Sequence, residues 1–342
     1  MDALNPQQVP QARFVLTYQQ RNITRDISEH LLSLTYTDHL TGQADSLAVE
    51  LEDTQGHWRD AWYPGHGDTL TLAIGWEGAL IRTLGRLQID EVELTGPPST
   101  ITIHALATGI NDPLRTLEHR AYENLTLAAI AQQIATRQGL TLVGHIEPIP
   151  LDRLTQQDTD LTFLRDLAAT YDYAFKITGQ QLVFHAISQL AYATPVAAHR
   201  LTDLAHIHLR DQIKTLPKAI EIKHKDPVKK QLITYTLINN QTVAAPSSAT
   251  QTTTSADTQK SRQRSTTTEQ TQAQAKAQLA QANRQRTTGQ WTTQGQPHLT
   301  SGNVITLHTT GQLNGRYLIT SSTHRITRDG GYTTHQQVTR IP

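Results

Sequence analysis

The chain has 342 residues, enough for two or three domains with cores of their own. Lys and Arg together number 30 and Asp and Glu 30, so no net field exists to draw in nucleic acid or an anionic membrane. Cysteine is absent, which excludes disulfides, thiolate metal sites and cysteine nucleophiles. The opening MDALNPQQVPQARF has no basic or apolar leader pattern, so no signal peptide is expected, and no apolar run nears the roughly 18 residues of a membrane anchor.

From Arg13 to Ala107 the pattern is all β. Phe14 and Leu16 alternate, and the runs Leu31–Tyr36, Ser46–Asp53, Asp68–Trp76, Thr83–Leu94 and Thr100–Ala107 follow. Gly, Pro and Asp turns separate them at the spacing of a barrel or sandwich, most clearly at Gly96-Pro97-Pro98-Ser99. From Gly109 to Pro195 the period changes. Leu125–Gly139 reads as an amphipathic helix with Thr126 as N-cap, Leu127, Ile130 and Ile134 facing inward, and Gly139 just past its end. Thr155–His185 then reads as a helix feeding a hairpin. Leu161, Leu164, Ala168 and Tyr171 share a face, Asp158 or Asp160 is the expected cap, Tyr173, Phe175 and Ile177 alternate, and Gly179-Gln180 turns toward Leu182 and Phe184.

Beyond Leu201 the chain returns to β. Lys218–Lys225 and Lys230–Asn239 form an expected strand pair whose charged tip lies at Asp226-Pro227. Ala244–Ser265 is polar and reads as a linker. Thr266–Arg286 is a helix by propensity, but Leu279 is its one large apolar residue, so it must dock or fray. Asn303–Ile341 is β again.

The two β regions echo one another. Gly67-Asp68-Thr69-Leu70-Thr71-Leu72 matches Gly302-Asn303-Val304-Ile305-Thr306-Leu307, and Gly85-Arg86-Leu87-Gln88-Ile89 matches Gly315-Arg316-Tyr317-Leu318-Ile319. A turn glycine follows each, Gly96 and Gly330. The order is the same and only the loop between the motifs differs in length, so two motifs and a third landmark in one order point to a duplicated barrel. The expected fold is therefore mainly β with an α+β middle: a first antiparallel barrel over 1–107, a small α+β domain over 108–197, a second barrel from 198–243 and 287–342, and a linker plus Ala/Gln-rich helix inserted at 244–286.

The Thr155–His185 wording resembles the "Q…SDLxFLxRLAxxxGYxYxFxxxxLxF" segment of the phage late control protein D family, the baseplate hubs of contractile tails. That family is related to the hub part of the type VI secretion valine-glycine-repeat spike proteins. Thr159 stands where Ser is usual and Asp172 where Gly is usual; Asp tolerates a left-handed backbone better than most residues. Leu313–His335 resembles the same families' ending. The resemblance implies two tail-tube-like barrels per chain, and a homotrimer whose six barrels ring a channel between tail tube and central spike. It implies as partners the tail tube, spike, tape measure and other baseplate proteins, and as location a phage or tailocin baseplate assembled from protein made in the host cytoplasm.

Chemistry is sparse. His206 and His208 share a strand face, but no third ligand lies nearby in sequence, so exposed strand histidines are expected and no metal or cofactor. His324 is expected to be a structural hydrogen-bonding residue. Asp90, Glu91 and Glu93, and Asp158 with Asp160, are the acids that a glycan hydrolase could use; helix capping for the aspartate pair and a solvated strand face for Glu91 and Glu93 are the expected explanations. The alternative function is accordingly a peptidoglycan-binding or cell-wall-hydrolysing tail protein. The Lys223–Lys230 run reads as a solvated tip, not a sequence-specific nucleic-acid site. Trp58, Trp62 and Tyr63, with Trp76 nearby, crowd one loop region of the first barrel, and either an assembly interface or burial within the barrel would explain them. Gly67, Gly85, Gly302 and Gly315 are the landmarks of the repeat.

Overall fold

The computed structural model describes residues 10–107, 116–214, 216–225, 232–239, 257–262 and 267–342. The N-terminal region supplies β1 (Ala12–Tyr18), the two-residue β2 (Arg21–Asn22), the short helix α1 (Thr24–Ser28), β3 (Leu31–His39), β4 (Ser46–Glu52), β5 (Thr69–Trp76), β6 (Arg82–Thr95) and β7 (Thr100–Leu106). Alternation drives them: in β4, Leu47, Val49 and Leu51 are buried and their neighbours are not. The sheet runs β1-β5-β6-β7-β4-β3. Its outermost strands, β1 through Leu16 and β3 through Leu34, meet in one apolar cluster, so the sheet curls around a common core, which Ile326 and Tyr332 from the C-terminal region also enter.

The middle part comprises β8 (Arg120–Thr126), α2 (Leu127–Arg137), β9 (Thr141–Val143), β10 (Pro150–Gln156), α3 (Asp160–Tyr171), β11 (Tyr173–Thr178), β12 (Gln181–Ala186) and α4 (Ile187–Ala191). Thr126 caps α2, accepting from the Ala129 N–H. Leu127, Ile130 and Ile134 join Leu164, Phe175 and Phe184 in one core. The cap of α3 differs from expectation: Thr159, not an aspartate, is extended (φ −61, ψ 153) and accepts from the Thr162 N–H. Asp160 is the first helical residue and turns inward instead. Asp172 ends the helix at φ 67, the left-handed position that its usual glycine would occupy.

The remaining strands are β13 (Ala197–Arg200), β14 (His206–Asp211), β15 (Ala219–Lys225), β16 (Leu232–Ile238), β17 (Thr258–Arg262), β18 (Thr287–Gln294), β19 (Val304–His308), β20 (Gly315–Thr327) and β21 (Gly331–Ile341), with α5 (Thr268–Arg284) before β18. The second large sheet runs β13-β19-β20-β21-β18-β14. The expected assignment of the 218–239 strand pair to this barrel is corrected here. β15 and β16 form a separate sheet with β17, which pairs in parallel with β15, and α5 packs Ala275 against Ile220 and Ile222. Alternation identified the strands, but it carries no information about which sheet receives them. β17 also falls within the expected linker; the rest of that linker, 244–256 and 263–265, and the Asp226-Pro227 tip lie outside the described residues.

The two large sheets share one strand order. Numbered by order along the chain, leaving out β2, the strands of each are arranged 1-4-5-6-3-2. The registers match too: Leu70 faces Leu87 and Leu72 faces Gly85, as Ile305 faces Tyr317 and Leu307 faces Gly315. Gly67 and Gly302 have φ 83 and 82, and their N–H groups donate to the carbonyls of Ile89 and Ile319. Each fifth strand carries a bulge against the sixth at one equivalent place, between Ile89 and Glu91 and between Ile319 and Ser321. One difference stands out: β1 runs antiparallel to β5, whereas β13 runs parallel to β19. The two sheets are fused into one, because β3 pairs antiparallel with β20.

Candidate assembly site

The fusion of the sheets is reinforced by buried charge. Asp38 on β3 and Asp45 before β4 bracket the Lys176 ammonium from β11, at 2.6 and 3.2 Å. Asp38 also accepts from the backbone N–H and hydroxyl of Ser301, each at 2.8 Å, and Asp45 accepts from the His39 N–H at 3.0 Å. One ionic cluster therefore ties together the first sheet, the middle part and the second sheet. Burial, then the charge of Asp38, pushes the Asp45 carboxyl up to about 6 against the pull of Lys176. Burial alone would lower Lys176; the two carboxylates outweigh it and hold the ammonium above the ordinary lysine range.

The loop between β18 and β19 completes the junction. Trp76 Nε1 donates to the Gly295 carbonyl at 2.8 Å, and Arg82 donates to the His298 carbonyl at 3.1 Å. His324 is buried among Ser322, Tyr332 and Thr334, with Nδ1 2.9 Å from the Tyr332 hydroxyl, and burial pulls its pKa down to about 4. It is a neutral structural residue.

A second ionic node orders the middle part. Asp160, fully buried, accepts from Arg137 at 2.5 Å, Gln138 at 2.6 Å and Gln156 at 2.7 Å. Burial would raise its carboxyl, but these donors outweigh it and hold the group below the usual carboxylate range. The "Q…TD" wording of Gln156, Thr159 and Asp160 thus encodes a cap and a buried hydrogen-bond cluster. Asp172 pairs with Arg284 of α5, and Gln270 donates to the Tyr171 hydroxyl at 3.0 Å, so polar contacts help to dock a helix whose one large apolar residue is Leu279.

The remaining candidates disperse. Trp58 is a core residue, 7% exposed and packed in the first sheet's cluster, so the interface reading does not hold for it. Trp62 and Tyr63 are 47% and 49% exposed in the β4–β5 loop. Glu91 and Glu93 lie exposed on β6, with Glu93 3.7 Å from His104. His206 and His208 are exposed on β14, and among the described residues no cluster of three potential metal ligands occurs. A cleft of about 610 Å³ between the C-terminal turns of α5 and the second sheet is lined by Arg210, Arg284, His208 and several glutamines, with no carboxylate among the described lining residues. No helix among the described residues is long and apolar enough to cross a membrane.

This architecture is that of phage tail proteins. The 43 kDa tail protein of prophage MuSo2 from Shewanella oneidensis superposes with a TM-score of 0.70 at 16% identity, covering 96% of this chain and 98% of that one. An Escherichia coli component of the type VI secretion system superposes at 0.56 with 12% identity, covering 92% of this chain and 74% of that one. No family model matches the sequence.

Among curated proteins the chain is a relative of the probable baseplate hub proteins of Escherichia phages 186 and P2. It is 32% identical to the first over 174 residues and 34% identical to the second over 158. These stretches cover 50% and 45% of this chain but 44% and 40% of the relatives, so less than half of either relative is matched. The resemblance to contractile-tail hubs read from the motifs is borne out.

Proposed function

We propose that the chain is a structural baseplate hub protein of a contractile phage tail or tailocin, with no catalytic role. Three copies form a pseudo-hexameric ring that joins the tail tube to the central spike, and the tape measure and other baseplate proteins are its further neighbours. The observation that carries this reading is the pair of six-stranded sheets with one strand order, joined edge to edge within the chain. A chain that presents the same unit twice lets threefold copies match a sixfold tube. The hub names of its relatives support it. The particle location and synthesis in the host cytoplasm follow from the same reading.

The hydrolase alternative draws no support from the site, since Glu91 and Glu93 lie on an open strand instead of facing each other across a cleft. Size-exclusion chromatography with light scattering tests the proposal. A particle of three 38.0 kDa chains is expected, with interfaces of about 2,000–5,000 Å² per pair. A monomer at every concentration, or clearing of a peptidoglycan suspension that is lost in Glu93→Gln, would contradict it.

A further inference from the structure

The repeat predicts its own missing contact. Within the chain, the second strand of one sheet (β3) pairs with the outer edge of the fifth strand of the other (β20), Tyr36 opposite His324 and Thr37 opposite Thr323. The equivalent second strand of the other sheet is β14, which, among the described residues, ends the sheet and pairs with β18 alone. The equivalent fifth strand is β6, whose Glu91–Thr95 half pairs with β7 and, among the described residues, with no strand on its other edge. Both edges are main-chain donor and acceptor rows of the kind that recruit another strand.

Tracing the ladders strand by strand through each sheet aligns the two copies. β14 follows β3 with Leu209 at the place of Tyr36 and Arg210 at the place of Thr37. β6 follows β20 through its bulge, with Glu93 at the place of Thr323 and Leu94 at the place of His324. We infer that β14 of one copy pairs antiparallel with β6 of the next, in the register of the β3–β20 ladder, setting Leu209 against Leu94 and Arg210 against Glu93. This inference rests on the trimer reading and assigns its interface.

Three observations point to this register. The Thr37–Thr323 hydroxyl pair, 3.2 Å apart, is replaced by residues of opposite charge. The buried Tyr36–His324 pair is replaced by two leucines, of which Leu94 is 54% exposed in the single chain. Leu40, 8% exposed where its N–H reaches the Thr320 carbonyl, has Ile213 as its counterpart, and Ile213 is 46% exposed. The loop that carries Trp62 and Tyr63 is the counterpart of the β18–β19 loop that packs on the first sheet through Trp76 and Arg82. In the ring it meets the neighbouring copy and covers both aromatics.

Because the chain has no cysteine, the register can be read by cross-linking. In Thr37→Cys/Thr323→Cys, oxidation closes a disulfide within one chain and shows that this ladder position permits the bond. In Glu93→Cys/Arg210→Cys, oxidation is expected to convert most of the protein to a covalent trimer on non-reducing gels. A trimer by light scattering whose 93 and 210 cysteines do not join, although the within-chain control does, overturns the register and leaves the trimer standing. A monomer at all concentrations overturns both. As an independent variant, Glu93→Arg or Arg210→Glu alone should weaken trimer formation about tenfold or more, and the two together in one chain should restore it. Loss that persists in the double variant contradicts the pairing.

Discussion

Lys176→Met is expected to destabilise the chain by about 3–5 kcal/mol at neutral pH, because removing one partner of a buried ion cluster strands the others. The side chains of Asp38 and Asp45 are 5% and 4% exposed, and Lys176 Nζ is the cation hydrogen-bonded to both. The pH dependence has a defined sign. Asp45 titrates near 6 in the fold, above its unfolded value, so its contribution is fully present below about pH 4 and is lost as pH rises through 6. Without Lys176 that carboxyl is pushed higher still, so the gap between variant and parent should widen from pH 4.5 to 7.5 in urea titrations. Lys176, held high in the fold, contributes across neutral pH and loses its contribution only in strong alkali. Asp45→Asn in the Lys176→Met background should recover most of the loss, since the amide oxygen still accepts from His39. Equal stability of parent and Lys176→Met would show that the cluster does not hold the parts together.

Arg137→Met is expected to cost about 3 kcal/mol, and more than Asp160→Asn. The asymmetry follows from exposure: the Arg137 side chain is 25% exposed and can be rehydrated, whereas the Asp160 side chain is fully buried. Asp160 is held low in the fold, so its contribution is present above its unfolded value and is lost as pH falls through the folded one. Arg137→Lys should fall between, because an ammonium keeps the charge but loses the two-pronged contact through Nε and an Nη. Thermal melts of the three variants check the order. A larger loss in Asp160→Asn than in Arg137→Met would contradict it.

The duplicated sheets were legible because a positive φ at Gly67 and Gly302 demands glycine and the following alternation fixes which face is buried. The helix and hairpin of Thr155–His185 were legible for the same local reasons. What escaped was non-local. An acid at a helix start reads as a cap until Arg137, a helix away, is brought beside Asp160. β17 lacks an apolar pattern because it borders a small sheet and is ordered by its parallel pairing with β15. The Lys176–Asp38–Asp45 cluster gathers three residues that carry no motif. The β3–β20 ladder, on which the assembly reading turns, is a choice of partner that alternation leaves open.

The most direct measurement is end-on electron imaging of the purified particle. A ring of six similar lobes with threefold symmetry, two lobes from each chain, around a central bore is expected. A ring with three lobes or another number, or single chains without closure, would contradict the claim that one fold was used twice to build a sixfold surface.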